Sequence, residues 1–228
     1  MNELIVLLNF EFKRLIKSLA IIISLVIFIF VVPIMVIYLN SLDEVQENWY
    51  AALQIQMIFL IILIPSVVSY VWKGYLHTFE RNVILLKLNK KPMYILAKMM
   101  AIILLIYIVI LIFYIVLFGY FKGMISITLM FITLFQVMST VLYCVAFNFL
   151  IAFFLKRTIY LHILTILYLL LSIQFINSPF LSIWFNPDLL ETQLVNLVFN
   201  LKRIVFLCLG VFFIVFSVYL FDRRMKEI

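Results

Sequence analysis

The chain has 228 residues, of which 68% are hydrophobic and 12% charged, and its net charge is +7. So few charges cannot clothe a soluble domain of this length, and a mean hydropathy of +1.29 excludes that class in favour of an integral membrane protein. The basic excess then has a topological reading that needs no nucleic acid.

The first element is NELIVLLNFEFKRLIK, Asn2 to Lys17. With helical spacing, Leu4, Ile5, Leu8, Phe12, Leu15 and Ile16 share one face. Glu3, Lys13, Arg14 and Lys17 share the other, which Val6 and Phe10 interrupt. A basic amphipathic helix of this kind lies in a membrane surface; the plainer alternative is a solvated lead-in to the first span. Six uncharged stretches follow. About 20 apolar residues in a helix cross a hydrocarbon core of about 30 Å, so each stretch holds one span. The spans are expected near 19–39, 50–72, 99–120, 125–154, 159–176 and 204–221. None alternates polar and apolar residues as barrel strands do, and helices satisfy their own backbone in lipid. The fold class expected is therefore an all-α integral membrane protein with six transmembrane helices. The first apolar run is long and has no small-residue cleavage site after it, so it is expected to stay as a span.

Between spans two and three, residues 73–98 hold six basic residues: Lys73, Arg81, Lys87, Lys90, Lys91 and Lys98. His77 to Leu88 fits one short helix, with Phe79, Val83 and Leu86 on one side and Glu80, Arg81 and Lys87 supplying charge. Asn89-Lys90-Lys91-Pro92 breaks it, and Pro92 suits the first turn of the next helix. The segment reads either as a handle for another protein or as a loop that binds anionic headgroups. Gly119 and Gly123 have GxxxG spacing, but they flank Lys122 and favour a turn over a dimerisation face.

The fourth stretch is longer than a span needs and is expected to tilt or project. On the fifth, His162, Thr165, Tyr168 and Ser172 form a polar stripe. It reads equally as a substrate path and as interhelical hydrogen bonding. Gln54 and Gln56 are weaker polar candidates on span two. Asn177-Ser178-Pro179 ends the fifth span. Residues 177–203 are expected to form an outer helical cap, re-entrant or interfacial, anchored by Trp184 and Phe185.

With the N-terminus in the cytoplasm, 14 of the 17 basic residues face inward, and Lys122, Lys202 and Arg203 face outward. The expected location is the cell membrane, multi-pass, with both termini cytoplasmic. Cys144 and Cys208 lie in spans without His or Cys at ligand spacing, which favours buried small hydrophobes over a metal site or disulfide. No phosphate-cradling glycine loop is present, and the spans as drawn contain no Asp, Glu, Lys or Arg. No catalytic, cofactor or metal site is therefore expected in this chain. A proton-driven carrier usually keeps ionisable groups in its spans, so any energy should come from another subunit.

The order of these parts resembles the membrane subunit of a type-2 ABC exporter, the ABC-2 permease class, over nearly the whole chain. The matching parts are an N-terminal elbow helix (Asn2 to Lys17), six spans, the loop ERNVILLKLNKKPMYILAKMM and the helical outer segment. Within the loop, Glu80, Leu86, Leu88, Pro92 and Lys98 stand at the matching positions. The small size and the Ile/Phe/Lys/Asn-rich composition look most like peptide and bacteriocin exporters of Gram-positive bacteria. The resemblance implies that residues 77–88 are a coupling helix seated in a separately encoded ATPase, with His77, Phe79, Glu80, Arg81, Val83, Leu86 and Lys87 as contacts. It implies two permeases, identical or paralogous, per transporter. ATP and Mg would sit on the partner ATPase, and this chain would be a non-catalytic subunit. The expected cargo is a hydrophobic or amphipathic peptide, such as a toxin or bacteriocin, because uncharged spans disfavour a charged solute. A lipid or lipophilic drug is the next choice. The alternative from another class is a stand-alone membrane self-immunity protein that binds a toxin without ATP. Membrane lipid is a partner in every reading.

Overall fold

The computed structural model describes residues 2–40, 45–76, 92–121, 126–155, 158–174 and 197–226. Among them there is no strand. The helices are α1 (Asn2–Lys17), α2 (Leu19–Val26), a π-helical turn (Ile27–Val31), α3 (Val32–Asn40), α4 (Val45–Leu76), α5 (Pro92–Tyr120), α6 (Ile127–Phe154), α7 (Ile159–Gln174) and α8 (Leu197–Lys226). The π turn has a local cause. Pro33 has no N–H for the carbonyl one turn back, and its ring would crowd that carbonyl. The helix widens just before it, and the Val32 N–H bonds to the Ile27 oxygen five residues back. α5 opens on Pro92, a residue suited to a first helical turn. At the start of α6 the Ser126 hydroxyl accepts from the Leu129 N–H at 3.1 Å.

Among the described residues, five helical stretches are long and apolar enough to cross a membrane: Leu19–Leu39, Asn48–Lys73, Pro92–Tyr120, Ile127–Phe154 and Leu201–Arg223. This is the architecture of a membrane-embedded all-α protein. The sequence predicted six spans. The element at the fifth position, α7, is 16 residues long, about 24 Å, which is short of the hydrocarbon thickness. Two further differences concern charge and exposure. Lys202 and Arg203 belong to the last apolar helix instead of preceding it, and both are buried. A charge ends an apolar run on paper, whereas in space the run continues because protein, not lipid, surrounds these side chains. Cys208 is exposed on α8, while Cys144 is buried. Residues 197–203 start α8, and the rest of the expected cap lies outside the described residues.

α6 is the central post. α8 packs along it most extensively, and α4 and α5 also contact it; α1 lies on α5, α3 on α4, and α7 against α4. In lipid, such packing rests on close contact more than on apolar burial. Gly210 supplies closeness for α8: a Cβ there would run into Leu142 Cδ2 and lie 3.2 Å from the Tyr143 amide nitrogen. Aromatic rings set the register. Tyr143 of α6 stacks on Phe206 of α8 with centroids 4.8 Å apart, and Phe153 meets Phe221 edge-on at 6.3 Å. α6 and α8 therefore run parallel. Trp72 at the end of α4 meets Phe153 at 4.8 Å, so the ends of α4, α6 and α8 converge at one pole of the molecule, which α1 caps. At the opposite pole Trp49 packs edge-on against Tyr114 at 5.6 Å. A cavity of about 120 Å³ opens there between α3 and α5, lined by Ile34, Ile37, Tyr38, Phe113 and Tyr120 among others.

Candidate functional site

Two polar assemblies interrupt the apolar packing. The first lies at the α1 pole. Glu11 sits on the face of α1 that presses on α5, together with the fully buried Leu15. Its carboxylate Oε1 is 3.2 Å from Nζ of Lys98, which lies two turns into α5. Both side chains are essentially inaccessible, at 1% and 0%. The contact is an ion pair and not a well-directed hydrogen bond, since neither Glu11 oxygen meets hydrogen-bond geometry. Lys98 Nζ also donates to the Val71 carbonyl of α4 at 3.2 Å and lies 4.6 Å from the centre of the Tyr94 ring. Arg14 adds a longer contact to Glu11 at 3.8 Å. One ammonium thus ties three helices together. Isolated charges this deep would be costly, and mutual attraction offsets the desolvation only when both partners are present. The node stands at the two roots of the segment between α4 and α5. His77, Phe79, Glu80, Arg81, Val83, Leu86 and Lys87 themselves lie outside the described residues.

The second assembly is a seam where α4, α7 and α8 meet α6. The α7 stripe faces it. His162 Nε2 is 3.1 Å from the Ser66 hydroxyl of α4, and its Nδ1 lies 3.3 Å from the Thr158 carbonyl. Thr165 donates to Asn148 Oδ1 of α6 at 3.3 Å, and Asn148 in turn donates to the Cys144 carbonyl at 2.9 Å. The Tyr168 ring lies 6.5 Å from Tyr143 and 6.4 Å from Phe147. Ser172 is fully buried. Above these, Arg203 of α8 is completely enclosed and donates from Nη1 to the Thr140 hydroxyl. The Thr140 hydroxyl in turn donates a hydrogen bond to the Gln136 carbonyl at 2.8 Å. Thr140 is 13 residues into α6, about 20 Å along its axis. The guanidinium therefore reaches well into the apolar span. Phe206 screens it: Arg203 Cζ and Lys202 Nζ each lie 5.6 Å from that ring. Gln56 is buried near the opposite pole, and Gln54 is half-buried.

The structure brings Thr165 and Tyr168 together with Asn148, Tyr143 and Arg203, and places His162 nearer the α1 pole. In this arrangement the stripe is engaged with its own chain. The seam offers hydrogen bonds and a fixed positive charge, which suits binding and helix association more than bond-making. Among the described residues, no three His, Cys, Asp or Glu side chains are grouped to hold a metal ion. Sequence reasoning missed Glu11, Ser66, Asn148 and Arg203. Glu11 left a signal, a carboxylate at the edge of the apolar helical face with Leu7, Leu8 and Leu15 one turn away. Ser66 and Asn148 left none, because small polar residues are ordinary in a long span. Comparison with protein-family models, curated proteins and solved structures finds no match for this chain.

Proposed function

We propose that this chain is the permease subunit of an ATP-driven exporter, paired with a second permease and with a separately encoded ABC ATPase that binds ATP and Mg. The observation that carries the reading is the Glu11–Lys98–Val71 node. It joins α1 to both helices that flank residues 77–91. A force applied to that segment from the cytoplasm would move α1, α4 and α5 together, as a permease driven through a coupling helix requires. In this reading the α1 pole and both termini are cytoplasmic, and α7 is a sixth span.

The cargo is an amphipathic peptide. Large apolar faces on α7 and α8, including Leu167, Leu170, Phe212 and Val215, are exposed beside the seam and suit an apolar body. Arg203 is enclosed and bonded to Thr140, so its charge holds α8 to α6 and the open faces beside it stay apolar. The test is co-expression with candidate ABC ATPases of the same genome and purification in detergent through a tag on this chain. Stoichiometric recovery of an ATPase whose turnover rises with an amphipathic helical peptide supports the reading. A chain that purifies alone and still binds the peptide would point to the stand-alone toxin-binding class.

A further inference from the structure

We propose that the outer side of the α1–α2 elbow is a binding site for the headgroup of an anionic phospholipid in the adjoining leaflet. A cleft of about 370 Å³ opens there, lined by Phe10, Lys13, Arg14, Lys17, Ser18 and Tyr70. The first four recur at the spacing of one helical face, so α1 holds three cations and one aromatic ring along a single wall. Tyr70 of α4 forms the other wall, with the Arg14 guanidinium 5.9 Å from its ring centre. Ser18 closes the end between α1 and α2, and its side chain makes no capping bond to α2.

Three observations select the ligand. The charge along the α1 wall is positive at three positions, Lys13, Arg14 and Lys17, while the carboxylate nearest in sequence, Glu11, is turned into the protein against Lys98 and lies 3.8 Å from Arg14. This favours a phosphate oxyanion and disfavours a neutral zwitterionic headgroup. Next, Val6 and Phe10 spoil the polar face of α1 as an aqueous surface, and they are 67% and 62% exposed beside the bases. A lipid uses both features at once, with its phosphate among the bases and the top of its acyl chains on Phe10 and Val6. Finally, the cleft lies where a surface helix turns into a span, the depth at which headgroups sit. The inference does not depend on the exporter reading.

The test is native mass spectrometry of the purified full chain, titrated in mild detergent with phosphatidylglycerol or phosphatidylcholine. One tight phosphatidylglycerol site is expected, with phosphatidylcholine binding far more weakly. Lys13 and Lys17 are exposed, so Lys13→Gln/Lys17→Gln should fold normally and weaken that site about 30-fold. Lys73 and Arg223 are also exposed. Lys73→Gln/Arg223→Gln removes the same charge elsewhere and should change affinity by less than about 3-fold. Equal loss in the two double variants, no loss in the first, or equal binding of both lipids overturns the proposal. Displacement of the lipid by millimolar inorganic phosphate would reassign the cleft to small anions and overturn it as a lipid site.

Discussion

Breaking the Glu11–Lys98 pair from one side should be far worse than removing it whole. In Lys98→Met, Glu11 stays 1% exposed with Arg14 at 3.8 Å as its remaining ion-pair contact, and stranding a buried charge in this way costs about 3–5 kcal/mol. Glu11→Leu is milder, because Lys98 keeps the Val71 carbonyl and the Tyr94 ring; about 1–3 kcal/mol is expected for the lost charged partner. The double variant Glu11→Leu/Lys98→Met puts apolar groups of similar volume in the same space and should lie within about 1 kcal/mol of the native chain. For a chain of 228 residues, each kcal/mol shifts Tm by about 2–4 °C. Lys98→Met should therefore melt about 6–20 °C early, while the double variant recovers most of the loss. Thermal unfolding in detergent, followed by tryptophan fluorescence, reads all four corners of the cycle. Additive losses, with the double variant the least stable of the four, would show that the two groups are not coupled and would remove the node from the argument.

Other expectations follow from single positions. Gly210→Leu should lower the folded membrane fraction sharply, because its side chain enters Leu142 and the backbone of α6; Gly119→Leu, with nothing within 4 Å of the added carbon, should not. Similar yields of the two by fluorescence-detected size exclusion would refute the close approach of α6 and α8. Arg203→Met should stay within about 2 kcal/mol of the native stability, because an apolar side chain replaces an enclosed charge and loses its bond to Thr140; a larger loss in thermal unfolding would show that the guanidinium is a main fastening between α8 and α6. In a background lacking Cys144 and Cys208, Lys226→Cys should react with an impermeant thiol reagent only after cells are permeabilised. Labelling of intact cells would invert the proposed orientation.

Composition and run length were enough to reveal the helical membrane class, because lipid leaves the backbone few other solutions. What they could not show is which charges are enclosed by neighbouring helices. Lys98 read as an inward-facing base and as one matching position of the permease resemblance, but its partner is 87 positions away in sequence, a pairing that no local pattern reports. Arg203 read as the outer edge of a span for the same reason: a window average ends at a charge, and burial against α6 is a property of three-dimensional packing. The α7 stripe was visible by its spacing, but its partners Ser66 and Asn148 emerge only from how α4 and α6 lie beside it. The π turn was also hidden. Pro33 announces a disturbance, yet whether a helix kinks, breaks or widens there depends on what surrounds it.

That widened turn makes the first span a two-part rod whose halves are phased separately. Phe28 stacks on Phe59 of α4 at 4.8 Å, and two residues later Phe30 meets Phe113 of α5 edge-on at 5.5 Å. The extra residue in the turn is what dials α3 to its present angle about the common axis. Deleting one residue between Ile27 and Val31 would remove the widening and keep the phase, whereas rewinding that stretch as a narrow α-helical turn with every residue kept would rotate everything from Val32 to Asn40 by about 100°. Ile34, Ile37 and Tyr38, which now wall the cavity against α5, would turn away from it. Sliding the turn along the helix would do the same, so the opening at that pole is governed by the winding number of a neighbouring rod and not by any side chain that lines it.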